Sequence, residues 1–264
     1  MTATDPVNPL RRIWRAGGTA TGVGLTIGAP ALAQLLARTG FDWLMIDLEH
    51  GVISPETAHA MIAATAGTPV APIVRLPQNL PWLAKPALDW GAFGIVHPTV
   101  DTGDAAAAAA HATRYPPEGG RQWGPFHAPA RFGMAMPDYL RRANDEIVTI
   151  VIVETPEAID NIEDIVATEG VDAAVLGSHD LAVAMAHPGQ PDHPDVTSAL
   201  RHAERVIRES DVVLGGNAFS PAQAREMTDR GYRLLALGFD WTLLHCGAAA
   251  ALDGLDGLDG LGPG

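Results

Sequence analysis

Short runs of β-branched and other apolar residues recur along the chain, and each is followed by a longer, alanine-rich stretch with helical periodicity. That alternation predicts repeated βα units around a parallel sheet. Eight strands are expected, at Thr21 to Ile27, Trp43 to Asp47, Ala71 to Arg75, Gly94 to His97, Val148 to Glu154, Ala173 to Leu176, Val212 to Gly215 and Leu234 to Gly238. The intervening helices are expected at Ala31 to Arg38, Pro55 to Ala66, Leu80 to Trp90, Asp104 to Arg114, Pro156 to Thr168, Val196 to Glu209, Pro221 to Arg230 and Trp241 to Leu252. Ser54-Pro55, Thr155-Pro156 and Ser220-Pro221 each place a capping hydroxyl before proline, a helix-start signal. Eight such units make an α/β protein of one (β/α)8 TIM barrel.

The length of 264 residues suits this fold, which takes about 250. Residues 1–251 are assigned to the barrel. Residues 252–264 repeat Leu-Asp-Gly and form a flexible tail, since so much Gly and Asp cannot offset the ordering entropy. Tyr115 to Asp145 is a long connection with Pro, Gly, Arg and aromatic residues, and long loops in compact domains usually serve function.

A net charge of −14 argues against a nucleic-acid partner and leaves small solutes as the expected ligands. No apolar run approaches the roughly 20 residues of a membrane span, and Met1 to Leu10 lacks a basic start and apolar stretch. A cytoplasmic protein without membrane contact is expected. The single Cys246 excludes an internal disulfide and a thiolate cluster, so any metal must sit on oxygen or histidine.

In such barrels the active site lies at the C-terminal ends of the strands. The second strand breaks into Asp47-Leu48-Glu49-His50-Gly51, the third ends on Arg75, the fourth on His97, the fifth on Glu154, and the sixth is followed by Gly177-Ser178-His179-Asp180. Glu154 and Asp180 each follow an apolar run, where an unpaired carboxylate is costly. Two carboxylates suit octahedral Mg²⁺ or Mn²⁺. Position alone leaves a second reading open, with one acid capping a helix and the other pairing an arginine. Arg75 is either a cationic fork for a carboxylate or enolate oxygen or the counter-ion of Asp47 or Glu49. His50 is a general-base candidate, although a loop histidine is more often structural. Asp89, near the end of the helix after the third strand, reads by pattern as a solvated or capping acid.

His179, His187 and His193 crowd one segment and invite a zinc reading. It is set aside, because their spacings match no helical i, i+4 pair and the segment is rich in Pro and Gly. His97 is expected to fix a neighbour. Gly215-Gly216 and Leu237-Gly238 stand where barrels place a phosphate cup. Lys85, the only lysine, falls within a helix outside the barrel, which disfavours a lysine imine and leaves a metal as the means of stabilising a carbanion.

The chain resembles the HpcH/HpaI aldolases, metal-dependent class II pyruvate aldolases of the 4-hydroxy-2-oxoheptanedioate aldolase type. The likeness runs from about Gly24 to Leu244 and is carried by Phe41-Asp42-Trp43-Leu44-Met45-Ile46-Asp47-Leu48-Glu49-His50-Gly51, Val74-Arg75, Leu88-Asp89-Trp90-Gly91-Ala92, Arg114-Tyr115-Pro116-Pro117, Val153-Glu154-Thr155 and Gly177-Ser178-His179-Asp180-Leu181. It implies that Glu154 and Asp180 bind a divalent metal, with Mg²⁺ or Mn²⁺ first and Co²⁺ or Zn²⁺ as alternatives. It further implies that Arg75 contacts the keto or enolate oxygen, that His50 and Asp89 form a proton-handling dyad, and that Asp47 orients the site. Gly177 and Ser178 would offer backbone donors to the substrate carboxylate. The implied assembly is a homohexamer, a trimer of dimers that exchange the last helix.

The implied reaction is reversible cleavage of a 4-hydroxy-2-oxo acid to pyruvate, or a related 2-oxo acid, and an aldehyde. Oxaloacetate decarboxylation through the same enolate, a phosphosugar isomerase and a non-catalytic barrel are the rival readings. The chain departs from the family pattern in Arg121-Gln122-Trp123-Gly124-Pro125, where many members carry Arg-Gly-x-Gly, and in Ile152, where several carry glutamine. Ser178 replaces a common proline, and His179 adds an ionisable group beside an implied ligand.

Overall fold

The computed structural model describes residues 7–253, so most of the expected tail, 254–264, lies outside the described residues. Eight parallel strands close into a barrel in sequence order: β1 (Ala20–Leu25), β2 (Trp43–Asp47), β3 (Ala71–Arg75), β4 (Gly94–His97), β5 (Val148–Val153), β6 (Ala173–Leu176), β7 (Val213–Asn217) and β8 (Leu234–Phe239), with β8 paired back to β1. Every residue of β2, β3, β4 and β5 is buried, as expected of parallel strands covered on both faces. This is the (β/α)8 barrel that the alternating pattern predicts.

The helices are α1 (Pro9–Arg15), α2 (Pro30–Leu36), α3 (Pro55–Ala64), α4 (Pro81–Asp89), α5 (Gly103–Thr113), α6 (Ala128–Arg131), α7 (Met136–Glu146), α8 (Pro156–Asp160), α9 (Ile162–Val166), α10 (Ser178–Ala184), α11 (Pro194–Arg208), α12 (Pro221–Asp229) and α13 (Asp240–Leu252). Ser54, Thr155 and Ser220 cap α3, α8 and α12 through their hydroxyls, each with proline in the first turn. The helix expected from Pro156 to Thr168 is broken at Asn161, whose side-chain amide donates to the Asp101 carbonyl at 2.8 Å. The long connection after β4 is largely structured, since α6 and α7 lie within it, and α7 buries Tyr139, Ala143 and Glu146.

Helix α1 has no counterpart in the sequence expectation. It packs beside β1 and buries Leu10 completely. Asn8 caps it and, itself fully buried, donates from Nδ2 to the carbonyls of Phe93 and Glu146, both at 2.8 Å. The Glu146 carboxylate accepts the backbone N–H groups of Val7 and Asn8. The end of α7 and the start of the described chain are thereby tied together, leaving the opposite ends of the strands to carry chemistry. No helix among the described residues is long and apolar enough to cross a membrane.

Candidate active site

The ends of β2, β3, β5 and β6 bring most of the expected polar residues to one mouth of the barrel. A cavity there is lined by Arg75, Glu154, Gly177, Asp180, Asn217 and Phe239, above a floor of apolar side chains that includes Trp43, Met45, Ile73 and Ile152. Ile152, noted above as a departure, is part of that apolar lining.

Asp47 organises one wall. It is fully buried, and its carboxylate accepts from Arg75 through Nε at 2.9 Å and Nη2 at 2.5 Å. The same Oδ1 also accepts from the backbone N–H groups of Glu49 and His50, at 3.0 and 3.2 Å. One acid therefore fixes both the guanidinium and the loop that carries His50. Arg75 lies 3.4 Å from Glu49, and Glu49 lies 3.7 Å from His50 Nε2. Burial alone would lower the guanidinium pKa, but the bond to Asp47 and the charges of Glu49 and Glu154 hold it above its ordinary value. His50 stands at the rim with 64% of its side chain exposed. Arg75 is thus the counter-ion of Asp47, and it also lines the cavity.

Glu154 forms the opposite wall. Its Oε1 accepts from the backbone N–H of Thr99 at 2.7 Å and from the Thr99 hydroxyl at 3.2 Å. Thr99 makes these bonds with φ at +50°, a left-handed conformation that costs a β-branched residue about 1–3 kcal/mol. Glu154 Oε2 is turned toward Gly177, where an added Cβ would meet Glu154 Cβ at 2.8 Å and Oε2 at 3.2 Å. Gly177 thus lets β6 approach the carboxylate closely. Burial raises the Glu154 pKa, the bonds from Thr99 oppose that rise, and the charge of Asp180 adds to it. Burial likewise raises Glu49, against the pull of Arg75 and His50.

Glu154 is a buried carboxylate in a largely apolar cavity, whereas Asp180, expected to be desolvated too, is exposed because it lies past the end of β6 in the first turn of α10; the pair is still a donor set that suits a cation. The residues present fit a divalent metal held by Glu154 and Asp180. Ser178 and Asp180 lie in the first turn of α10, a helix absent from the sequence expectation.

Asp89 lies elsewhere. At the end of α4 it accepts from Arg121 Nη2 at 2.8 Å, and among the described residues no contact joins it to His50. Arg121 is 3% exposed, donates to the Tyr139 hydroxyl at 3.1 Å and lies 4.4 Å from the centre of the Tyr115 ring. The implied His50–Asp89 dyad is not formed within one chain. The departure at Arg121-Gln122 has its place here, with Gln122 accepting from Lys85 at 3.2 Å.

That contact fixes Lys85 on the outer surface of α4, well removed from the barrel interior. Lys85→Arg is expected to leave activity within about twofold, the change usual for an exposed site; borohydride trapping of pyruvate on the wild-type lysine would contradict it.

Of the glycines proposed for a phosphate cup, Gly215 and Gly216 are closely packed, and Gly238 turns at a φ of +82°. A Cβ on Gly215 would meet Val175 at 2.8 Å, and one on Gly216 would meet Met227 at 2.7 Å and Tyr232 at 2.8 Å. At the start of α13 an internal carboxylate, Asp240, is 1% exposed and accepts from the backbone N–H groups of Thr26 and Ile27 and from the Thr26 hydroxyl. His97 is fully buried with Nδ1 3.0 Å from Asn79 Oδ1, and burial pushes its pKa down to about 3. It fixes Asn79, as expected. The three histidines set aside above separate. His179 stands edge-on to Phe219, whereas His187 and His193 stack at 3.5 Å beside Asp195.

The pattern of the HpcH/HpaI aldolase/citrate lyase family matches residues 24–246. The chain is 38% identical over 245 residues to a hydroxypyruvate/pyruvate aldolase of Cupriavidus necator, covering 93% of this chain and 91% of that protein. It is 37% identical over 243 residues to a 4-hydroxy-2-oxo-heptane-1,7-dioate aldolase of Escherichia coli, covering 92% and 93%. The crystal structure of an HpcH/HpaI aldolase/citrate lyase family protein from Burkholderia cenocepacia superposes with a TM-score of 0.86 at 35% identity, over 94% of this chain and 98% of that one.

Proposed function

The chain belongs to the HpcH/HpaI aldolase/citrate lyase family and is an aldolase, a carbon–carbon lyase, and from that premise we propose that it cleaves 4-hydroxy-2-oxo acids to pyruvate, or a close 2-oxo acid, and an aldehyde. The observation that carries this reading is the approach of the buried Glu154 and the exposed Asp180 in the lining of one cavity that Arg75 also lines. These two acids would hold a divalent cation, Mg²⁺ or Mn²⁺ by their hard oxygen donors, with Co²⁺ or Zn²⁺ as substitutes. When bound, that ion supplies the positive charge that acidifies the carbon next to a 2-oxo group.

In this reading Arg75, braced by Asp47, meets the negative charge that develops on the keto oxygen when the C3–C4 bond breaks. His50, at the rim, takes the proton from the 4-hydroxyl in cleavage and returns it in addition. The backbone N–H of Ser178, where α10 begins, receives the substrate carboxylate; that of Gly177, expected to share this role, already donates to the Val153 carbonyl at 3.0 Å. The apolar floor excludes water beneath the reacting carbon. Within one chain Asp89 is committed to Arg121, so a His50–Asp89 pair belongs between chains. A homo-oligomer, the hexamer formed as a trimer of dimers that exchange α13, is supported by that helix's exposed Trp241, Leu243, Leu244 and Leu252.

The test is proton exchange without an acceptor. Metal-stripped protein is incubated with pyruvate in D₂O, single divalent ions are added back, and loss of the methyl signal is followed by NMR. Exchange is expected only after metal is restored; equal exchange in the stripped protein would overturn the reading.

A further inference from the structure

We infer that His187, His193 and Asp195 form a second metal site, separate from the candidate active site, suited to a borderline transition ion such as Zn²⁺. The three side chains come from the connection between α10 and α11 and from the first turn of α11. His187 Nε2 lies 3.5 Å from Asp195 Oδ2, His193 Nδ1 lies 3.7 Å from the same oxygen, and the three ligand atoms all fall within 4.8 Å of one another. A tetrahedral ion with bonds of about 2.0–2.1 Å needs donors roughly 3.3–3.5 Å apart, close to the spacing of Asp195 to each imidazole. The imidazole rings are stacked, with centroids 3.5 Å apart and planes inclined by 16°, and metal binding would tilt them apart to aim both in-plane lone pairs at the ion.

One further feature favours a ligand role over simple capping. His193 is the N-cap residue of α11, a position that Ser, Thr, Asp and Asn normally occupy, and its Nδ1 accepts the Asp195 N–H only at 3.3 Å. That weak bond is easily given up to a metal. The cluster also stands at the positive end of a 15-residue helix, which disfavours a lone cation. Asp195 offsets this, and two imidazoles select an ion with strong nitrogen affinity over Mg²⁺. The side chains of His187 and His193 are 25% and 28% exposed and that of Asp195 is 68% exposed, which leaves the fourth position open to water.

Bound metal would clamp a connection that contains Pro188, Gly189 and Pro191 and turns through positive φ at Ala186 and Gly189. It would thereby fix the exit of α10, the helix that carries Asp180.

The experiment uses the full chain, stripped of metal, with Glu154→Gln and Asp180→Asn to silence the other site, and Co²⁺ as an optical probe. About one equivalent is expected to bind with the intense visible bands of a tetrahedral ion, and adding His187→Gln or His193→Gln should abolish them. In the otherwise wild-type protein the same histidine variants should keep Mg²⁺-supported pyruvate exchange, and in the silenced protein Zn²⁺ should raise the melting temperature unless His187 or His193 is also replaced. Asp195→Asn, which preserves the helix start, should weaken Co²⁺ binding by about tenfold or more. Absence of Co²⁺ uptake in the silenced protein, or bands unchanged by either histidine substitution, would overturn the assignment.

Discussion

Replacing Glu154 with glutamine, or Asp180 with asparagine, is expected to lower kcat/KM for cleavage of a 4-hydroxy-2-oxo acid by a factor on the order of 10³, about 4 kcal/mol of transition-state stabilisation. The reason is electrostatic, since each carboxylate loses the charge that holds the cation while its shape and position are preserved. Glutamine can still accept both bonds from Thr99, so the fold is retained. Binding of Mg²⁺ or Mn²⁺ at the cavity, followed by calorimetry, should fall in step with activity. The metal-free variant should also melt higher than metal-free wild type. Folding raises the pKa of Glu154, so at neutral pH its ionisation opposes the folded state, and glutamine removes that penalty. Full activity of a metal-stripped Asp180→Ala protein would end the assignment.

Acid is expected to destabilise the protein through His97. Its pKa is 6.5 in an ordinary setting and about 3 in the folded chain, where burial disfavours the cation. Between those values the unfolded state binds a proton that the folded state refuses, so stability is intact above the upper value and falls as the pH drops toward the lower one. The slope is about 1.4 kcal/mol per pH unit, and the total is on the order of 5 kcal/mol. Urea denaturation of wild type and His97→Gln across this range should show a shallower acid slope in the variant. Parallel slopes would mean that His97 is protonated in the folded protein.

The strands were legible because a buried parallel strand is an apolar run that ends abruptly. Trp43–Asp47, Ala71–Arg75, Gly94–His97 and Ala173–Leu176 stand where the pattern puts them. Strand-end chemistry followed from the same property, as Asp47, Arg75 and Glu154 are the first polar residues after such runs. What escaped depends on tertiary partners. Thr99 gives no local sign that it bends into the left-handed region to hold Glu154, and Arg121 looks like any loop arginine until Tyr115, Tyr139 and Asp89 enclose it. Helix α1 is short and has one fully buried leucine, too little periodicity to announce itself. His187 and His193 meet across a turn, where no fixed spacing applies, while His179 from the same segment stands apart against Phe219. Asp89 was singled out only by resemblance, and one chain by itself does not show what it serves.

Asp240 has a consequence for how the barrel closes. Its carboxylate, at the start of the last helix, is bound by three donors that follow the first strand. The helix that leaves the eighth strand is thereby pinned to the first, so the last stave and the first are held together at the mouth by a side chain as well as by the sheet.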